Sequence, residues 1–285
     1  MNSFASKSTW PLAVATAATL FLGSSATAMA GSVSEDHHAG RNLLVYVPSR
    51  LPPQGKPALV VVLHGGMGNA RRIESGQSEH GLNMDAVAEK GAFIVAYLNG
   101  TPVTRRLGGD KLGWNAGGGC CGQSAENNID DVHYVQSAVE YLSSRYGIDR
   151  KRVYGVGHSN GAMMAQRMVC ETDVFAAAVA LSGPLNLDVT NCPAARGKRI
   201  LAIHGAEDVN VPVAGGQGTG LSRAVFKSEV RSQQAFTDSG AQYTLEIVKG
   251  ADHKLADIEE VIQRTQGMSI AEKAARFFGL LDSIP

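Results

Sequence analysis

An excess of charge of either sign is missing from this 285-residue sequence, in which 26 Lys and Arg balance 26 Asp and Glu. A near-neutral chain offers neither the basic field that attracts nucleic acid nor one that attracts an anionic membrane surface. Cysteine is scarce: four residues are too few for a disulfide scaffold, although an even number in an exported chain permits disulfides. Metal-ligand spacing is missing as well. His37-His38 has the form of half a metal site, but no Cys or acidic cluster completes it, so neither a metal nor a cofactor is expected. No repeat and no long linker divides the chain, and the apolar stretch from Trp10 to Leu22 falls short of the roughly 20 residues that a membrane-spanning helix needs.

That stretch has another reading. Lys7 is the only charged residue among the first thirty, and Ala28-Met29-Ala30 has the small-x-small form that signal peptidase cuts. Residues 1–30 are therefore expected to be a signal peptide cleaved near Ala30. Residues 31–285 then form one domain, secreted or periplasmic, with 25 basic against 26 acidic residues once Lys7 is gone.

Apolar runs at 58–63, 92–97, 153–156, 174–181 and 199–203 read as strands buried on both faces, with further strands at 41–47 and 243–248. Helical periodicity appears at 82–90, in the stripe Val132, Val135, Ala138, Val139 and Leu142, and at 269–278. Asn128 is the expected cap of the second of these helices, with Asp130 and Asp131 in its first turn. Residues 101–124, rich in glycine, read as a long ordered loop. Strands alternating with helices imply an α/β fold with a mostly parallel sheet covered on both faces.

One stretch carries chemistry. The strand at 153–156 runs into Gly157-His158-Ser159-Asn160-Gly161, and a helix-forming run follows. Such a strand–turn–helix holds its serine in a strained conformation that the flanking glycines make sterically possible. A serine nucleophile needs a base and an orienting acid, and in an open parallel sheet both belong on loops at the C-terminal ends of later strands. One such loop holds Glu207 and Asp208, the next Asp252 and His253. His253 is the only one of eight histidines beyond the acid loop. Asp208 is preferred as the acid over Glu207 and Asp188 because it lies further into its loop. The oxyanion that forms on attack needs backbone N–H groups, expected from Asn160 and from Gly66 or Met67 in the His64-Gly65-Gly66-Met67 turn. The side chains of His158 and Asn160 are assigned to packing of the elbow.

Leu63-His64-Gly65-Gly66, the elbow, Asp208 and His253 together resemble the α/β-hydrolase fold, in a single domain. Trp114-Asn115-Ala116-Gly117-Gly118-Gly119-Cys120-Cys121-Gly122, with Asn128-Ile129-Asp130-Asp131-Val132, is similar to one branch of it: secreted polyhydroxybutyrate depolymerase-like enzymes and the feruloyl and acetylxylan esterases of carbohydrate esterase family 1. The chain departs from that branch after the histidine, where Lys254-Leu255-Ala256 replaces an aromatic and a proline. The resemblance implies a serine carboxylester hydrolase acting on a plant-wall polysaccharide ester. Alternatives are a polyhydroxyalkanoate depolymerase or oligomer hydrolase, a peptidase, and an inactive binding protein on the same scaffold. Trp114 is either a pocket residue that stacks on substrate or a core residue that pins its loop. Bridging Cys170 with Cys192 leaves Cys120 with Cys121, but four cysteines allow three pairings.

Overall fold

The computed structural model describes Met1 and residues 31–75, 81–104, 110–219 and 224–282. The expected signal peptide lies outside the described residues, Met1 apart. Eight strands form one sheet: β1 (Ser32–His38), β2 (Arg41–Val47), β3 (Leu59–Leu63), β4 (Ile94–Leu98), β5 (Val153–His158), β6 (Ala177–Leu181), β7 (Arg199–Gly205) and β8 (Gln242–Val248). Their order is β1-β2-β4-β3-β5-β6-β7-β8. Pairing is antiparallel for β1–β2 and β2–β4 and parallel from β4 through β8. The chain moves outward from β3 to β4, then returns to place β5 on the other side of β3. This reversal opens a crevice at the C-terminal ends of β3 and β5.

Alternation along each strand divides the core in two. Leu43, Val45, Leu59, Val61 and Leu63 face one side, and Leu44, Tyr46, Val60 and Val62 face the other. The six main helices are α1 (Met84–Gly91), α2 (Asp131–Tyr146), α3 (Asn160–Glu171), α4 (Glu229–Asp238), α5 (Leu255–Gln266) and α6 (Ile270–Phe277). The first side is covered by α2, α3 and α4, the second by α1, α5 and α6. Burial on both faces explains why the inner strands read as unbroken apolar runs.

Several expectations shift. β1 is exposed along most of its length, and its polar sequence gives no strand signal of its own; it forms by pairing with β2. The α2 cap is Asp130, whose carboxylate accepts from the His133 N–H at 2.9 Å. Asn128 instead takes a left-handed turn at φ 47°, which aims the chain into the helix. β6 is shorter than its apolar run, starting at Ala177. Cys170 at the end of α3 is bridged to Cys192, with Cα atoms 4.3 Å apart. A cross-link of that span stabilises the fold by about 3 kcal/mol. Cys120 is bridged to Cys121.

Candidate active site

At the elbow, Ser159 has φ 56° and ψ −120°, a region that costs a non-glycine residue about 1–3 kcal/mol. The flanking glycines are required by contact. A Cβ on Gly157 would lie 2.1 Å from the Gly161 carbonyl oxygen, and one on Gly161 would lie 2.1 Å from that of Leu63. The tight turn delivers the Ser159 hydroxyl to the crevice at the start of α3.

Two further loops meet it there. β7 and β8 are neighbours, with Gly205 opposite Val248, and their loops are knit by Ala206 N–H to Val248 O (2.9 Å) and Glu207 N–H to Ala251 O (3.0 Å). The structure places His253 Nε2 2.9 Å from Ser159 Oγ and His253 Nδ1 2.7 Å from Asp208 Oδ2. Asp208 Oδ1 accepts from the N–H groups of Asn210 (2.9 Å) and Val211 (2.7 Å). Burial works to raise the Asp208 carboxyl, but hydrogen bonds from His204 and His253 overcome this and hold it well below the usual carboxylate range. The rival acids lie elsewhere: Glu207 is exposed, and Asp188 pairs with Lys227 and Arg231 on the surface.

The turn after β3 flanks the serine. A Cβ on Gly65 would stand 3.4 Å from Ser159 Cβ. Met67 proves unsuitable as an oxyanion donor, because its N–H is committed to Leu112 O at 2.8 Å. Gly66 and Asn160, which line the cavity together with Ser159, remain as the candidate amides. His64 braces the turn from below: its Nδ1 bonds Gly65 O at 2.8 Å and its Nε2 accepts from Gly100 N–H at 3.0 Å. These partners fix a neutral tautomer, and burial lowers the ring to about 4.

Trp114 corrects one of its two readings. The indole is fully buried and takes no part in lining the cavity beside Ser159. Its Nε1 donates to His64 O at 2.9 Å, while the Asn160 side chain clamps its backbone, accepting from Trp114 N–H (2.7 Å) and donating to Trp114 O (3.0 Å). Trp114 therefore ties the loop to the elbow and to the turn after β3, and does not stack on substrate. The next residue, Asn115, is held by Asp131 Oδ2 at 2.7 Å, and Asp131 in turn forms a buried ion pair with Arg41 at 2.6 Å. His158 Nε2 lies 2.9 Å from His253 O, so the elbow also holds the backbone of the histidine loop.

The cavity has a volume of about 600 Å³ and is walled by the turn after β3, Val103, Lys111, the Cys120–Cys121 pair, Asn210 and the Ser159–His253 couple. Of the histidine loop, His253 is the residue that reaches it, so the divergent Lys254-Leu255-Ala256 segment lies outside the cavity: Leu255 is buried in the core and Lys254 stands at the N-terminal boundary of α5. Among the described residues no group of three or more His, Cys, Asp or Glu is arranged to hold a metal ion. His38 bonds Ser137 Oγ at 3.0 Å and stacks on Tyr141. The sequence reading missed His204, which contacts Asp208. Its signal was a histidine closing the apolar run of β7, where a buried ring must find polar partners.

Residues 81–195 match the prolyl oligopeptidase family, Peptidase_S9. Feruloyl esterase B of Piromyces equi is 31% identical over 189 residues, covering 65% of this chain and 32% of that protein. Feruloyl esterase B of Neurospora crassa is 31% identical over 177 residues, covering 55% of this chain and 51% of that protein. The chain thus spans between about a third and a half of the length of these relatives. The acetyl xylan esterase from Aspergillus awamori superposes with a TM-score of 0.57 at 17% identity, over 88% of this chain and all of that one. The chain has the α/β-hydrolase fold, and in sequence it is similar to feruloyl and acetylxylan esterases.

Proposed function

We propose that the chain is a serine carboxylester hydrolase, exported after removal of residues 1–30, that cleaves feruloyl or acetyl esters of plant-wall polysaccharide through an acyl-enzyme. The observation that carries this reading is the line from Ser159 Oγ through His253 to Asp208, at 2.9 and 2.7 Å. Ser159 Oγ attacks the ester carbonyl carbon while His253 Nε2 takes its proton. Asp208 holds the ring with Nδ1–H inward and stabilises the imidazolium. The N–H groups of Asn160 and Gly66 receive the oxyanion. As the tetrahedral intermediate collapses, the ester C–O bond breaks and His253 returns the proton to the leaving alcohol. Water then attacks the acyl-enzyme by the same route and releases the acid.

The sequence relatives named feruloyl esterase and probable acetylxylan esterase support this choice of acyl group. Release of ferulate, acetate or 3-hydroxybutyrate from matched substrates decides it. Ferulate or acetate release is expected. Hydroxybutyrate alone would move the chain to polyester hydrolysis, and no release of any acid from folded protein would contradict the esterase reading.

A further inference from the structure

A chain of buried acids and bases continues behind Asp208. His204, on β7, places Nε2 3.0 Å from Asp208 Oδ2 and 2.9 Å from Val211 O, and Nδ1 2.7 Å from Glu229 Oε1. Each of these partners accepts. Glu229 receives the Tyr243 hydroxyl on Oε2 at 2.7 Å, which leaves Oε1 to face the His204 ring, and as a carboxylate it accepts from both. The side chains of His204, Asp208 and Glu229 are at most 1% exposed, which leaves bulk water no part in satisfying them.

A neutral ring would oppose one bare nitrogen lone pair to an oxygen lone pair and leave two buried carboxylates joined by an uncharged group. A doubly protonated ring satisfies every oxygen and brings the trio to one net negative charge. We infer that His204 is a buried imidazolium and a positioning residue for the catalytic acid, one link of a line that runs Tyr243, Glu229, His204, Asp208, His253. It donates to the same Asp208 oxygen that receives His253, so that oxygen stays fixed between two N–H groups. Burial works against the charge on His204, but Asp208 and Glu229 outweigh it and raise the ring to about 9. The inference rests on the reading of Ser159, His253 and Asp208 given above and extends it to residues outside the triad.

The charge has a kinetic signature. The acid limb of kcat/KM reports protonation of His253, and the His204 cation tempers the pull of Asp208 on that proton. In Glu229→Gln the amide still accepts from Tyr243 and now donates to Nδ1, so the ring keeps its Nε2–H bond to Asp208 but becomes neutral. Asp208 then acts undiluted on His253, and the acid limb moves to higher pH. The ionisable groups facing the two rings are Asp208, Glu229 and Tyr243 around His204 and His158, Asp208 and Asp252 around His253; the substitution changes Glu229 alone.

The test combines 15N spectra of histidine-labelled wild type and Glu229→Gln at pH 7 with their pH–rate profiles. We expect both His204 nitrogens to carry protons in the wild type, one to do so in the variant, and the acid limb to rise. A bare nitrogen on His204 in the wild type would overturn the inference, as would a limb that stays in place or falls. The spectrum of the wild type needs neither turnover nor a stable variant. A charged His204 in a protein that hydrolyses no ester would therefore sink the catalytic reading while leaving the charge assignment standing.

Discussion

Ser159 is held in its strained conformation by what surrounds it, and the two elbow glycines measure how little room is left. In Gly161→Ala the new Cβ would meet the carbonyl oxygens of Leu63 and His64 at 2.1 and 2.6 Å, and backbone cannot yield as a flexible side chain can. We expect a loss of roughly 2–4 kcal/mol in denaturant unfolding, with activity falling alongside. Asp208→Asn should preserve the fold yet lower kcat by about 10⁴-fold, because an amide can present its own N–H to His253 and favour the wrong tautomer; steady-state kinetics on a chromogenic ester checks this. Trp114→Phe leaves a small cavity in the core and loses the bond to His64 O, so it should lower kcat on feruloyl and acetyl esters by similar factors. A selective rise in KM for the feruloyl ester would revive substrate stacking. Ser159, Asp208 and His253 were legible because each follows a strand end, and strand ends are marked by apolar runs. The placement of Trp114 was not: an indole suits a pocket wall as well as a core, and its burial is decided by His64 and Asn160, distant in sequence.

At the scale of elements, the loop after β4 is anchored on the first turn of α2. Asp131 stands there fully buried, with one oxygen on Arg41 and the other on Asn115 N–H. Its position suggested a helix-dipole partner, but its main work is to join β2, the Trp114 loop and α2. Asp131→Ala leaves the Arg41 guanidinium half-buried and unpaired, and should cost about 3–5 kcal/mol by denaturant titration. The helices α4 and α5 were not read from the sequence. In α4 few apolar residues, among them Ala235 and Phe236, stand between polar ones, whereas α5 does carry Leu255, Ile258 and Ile262 at helical spacing, a stripe the sequence reading passed over. The edge strand β1 was missed because its pairing comes from β2 rather than from side-chain pattern.

Over the whole molecule, two of the three buried histidines, His204 and His64, oppose each other in pH dependence. His204 is raised to about 9, so its contribution is fully present below the ordinary histidine value near 6.5 and is lost as pH rises through 9. His64 is lowered to about 4, so its contribution is present above 6.5 and is lost as pH falls through 4. Tm measured by calorimetry should therefore peak near pH 6.5 and fall on both sides, the alkaline fall being absent in Glu229→Gln, where His204 is already neutral. The α/β layout was readable from the alternation of runs, and the strand order then places the Ser159 elbow at the reversal between β3 and β5, where a crevice must open. The central claim is that this crevice holds an activated serine. Intact-mass analysis after exposure to a fluorophosphonate tests it most directly: one adduct on Ser159 in the wild type and none in Ser159→Ala is the expected result. An unlabelled folded wild type, or an adduct that survives the substitution, would contradict it.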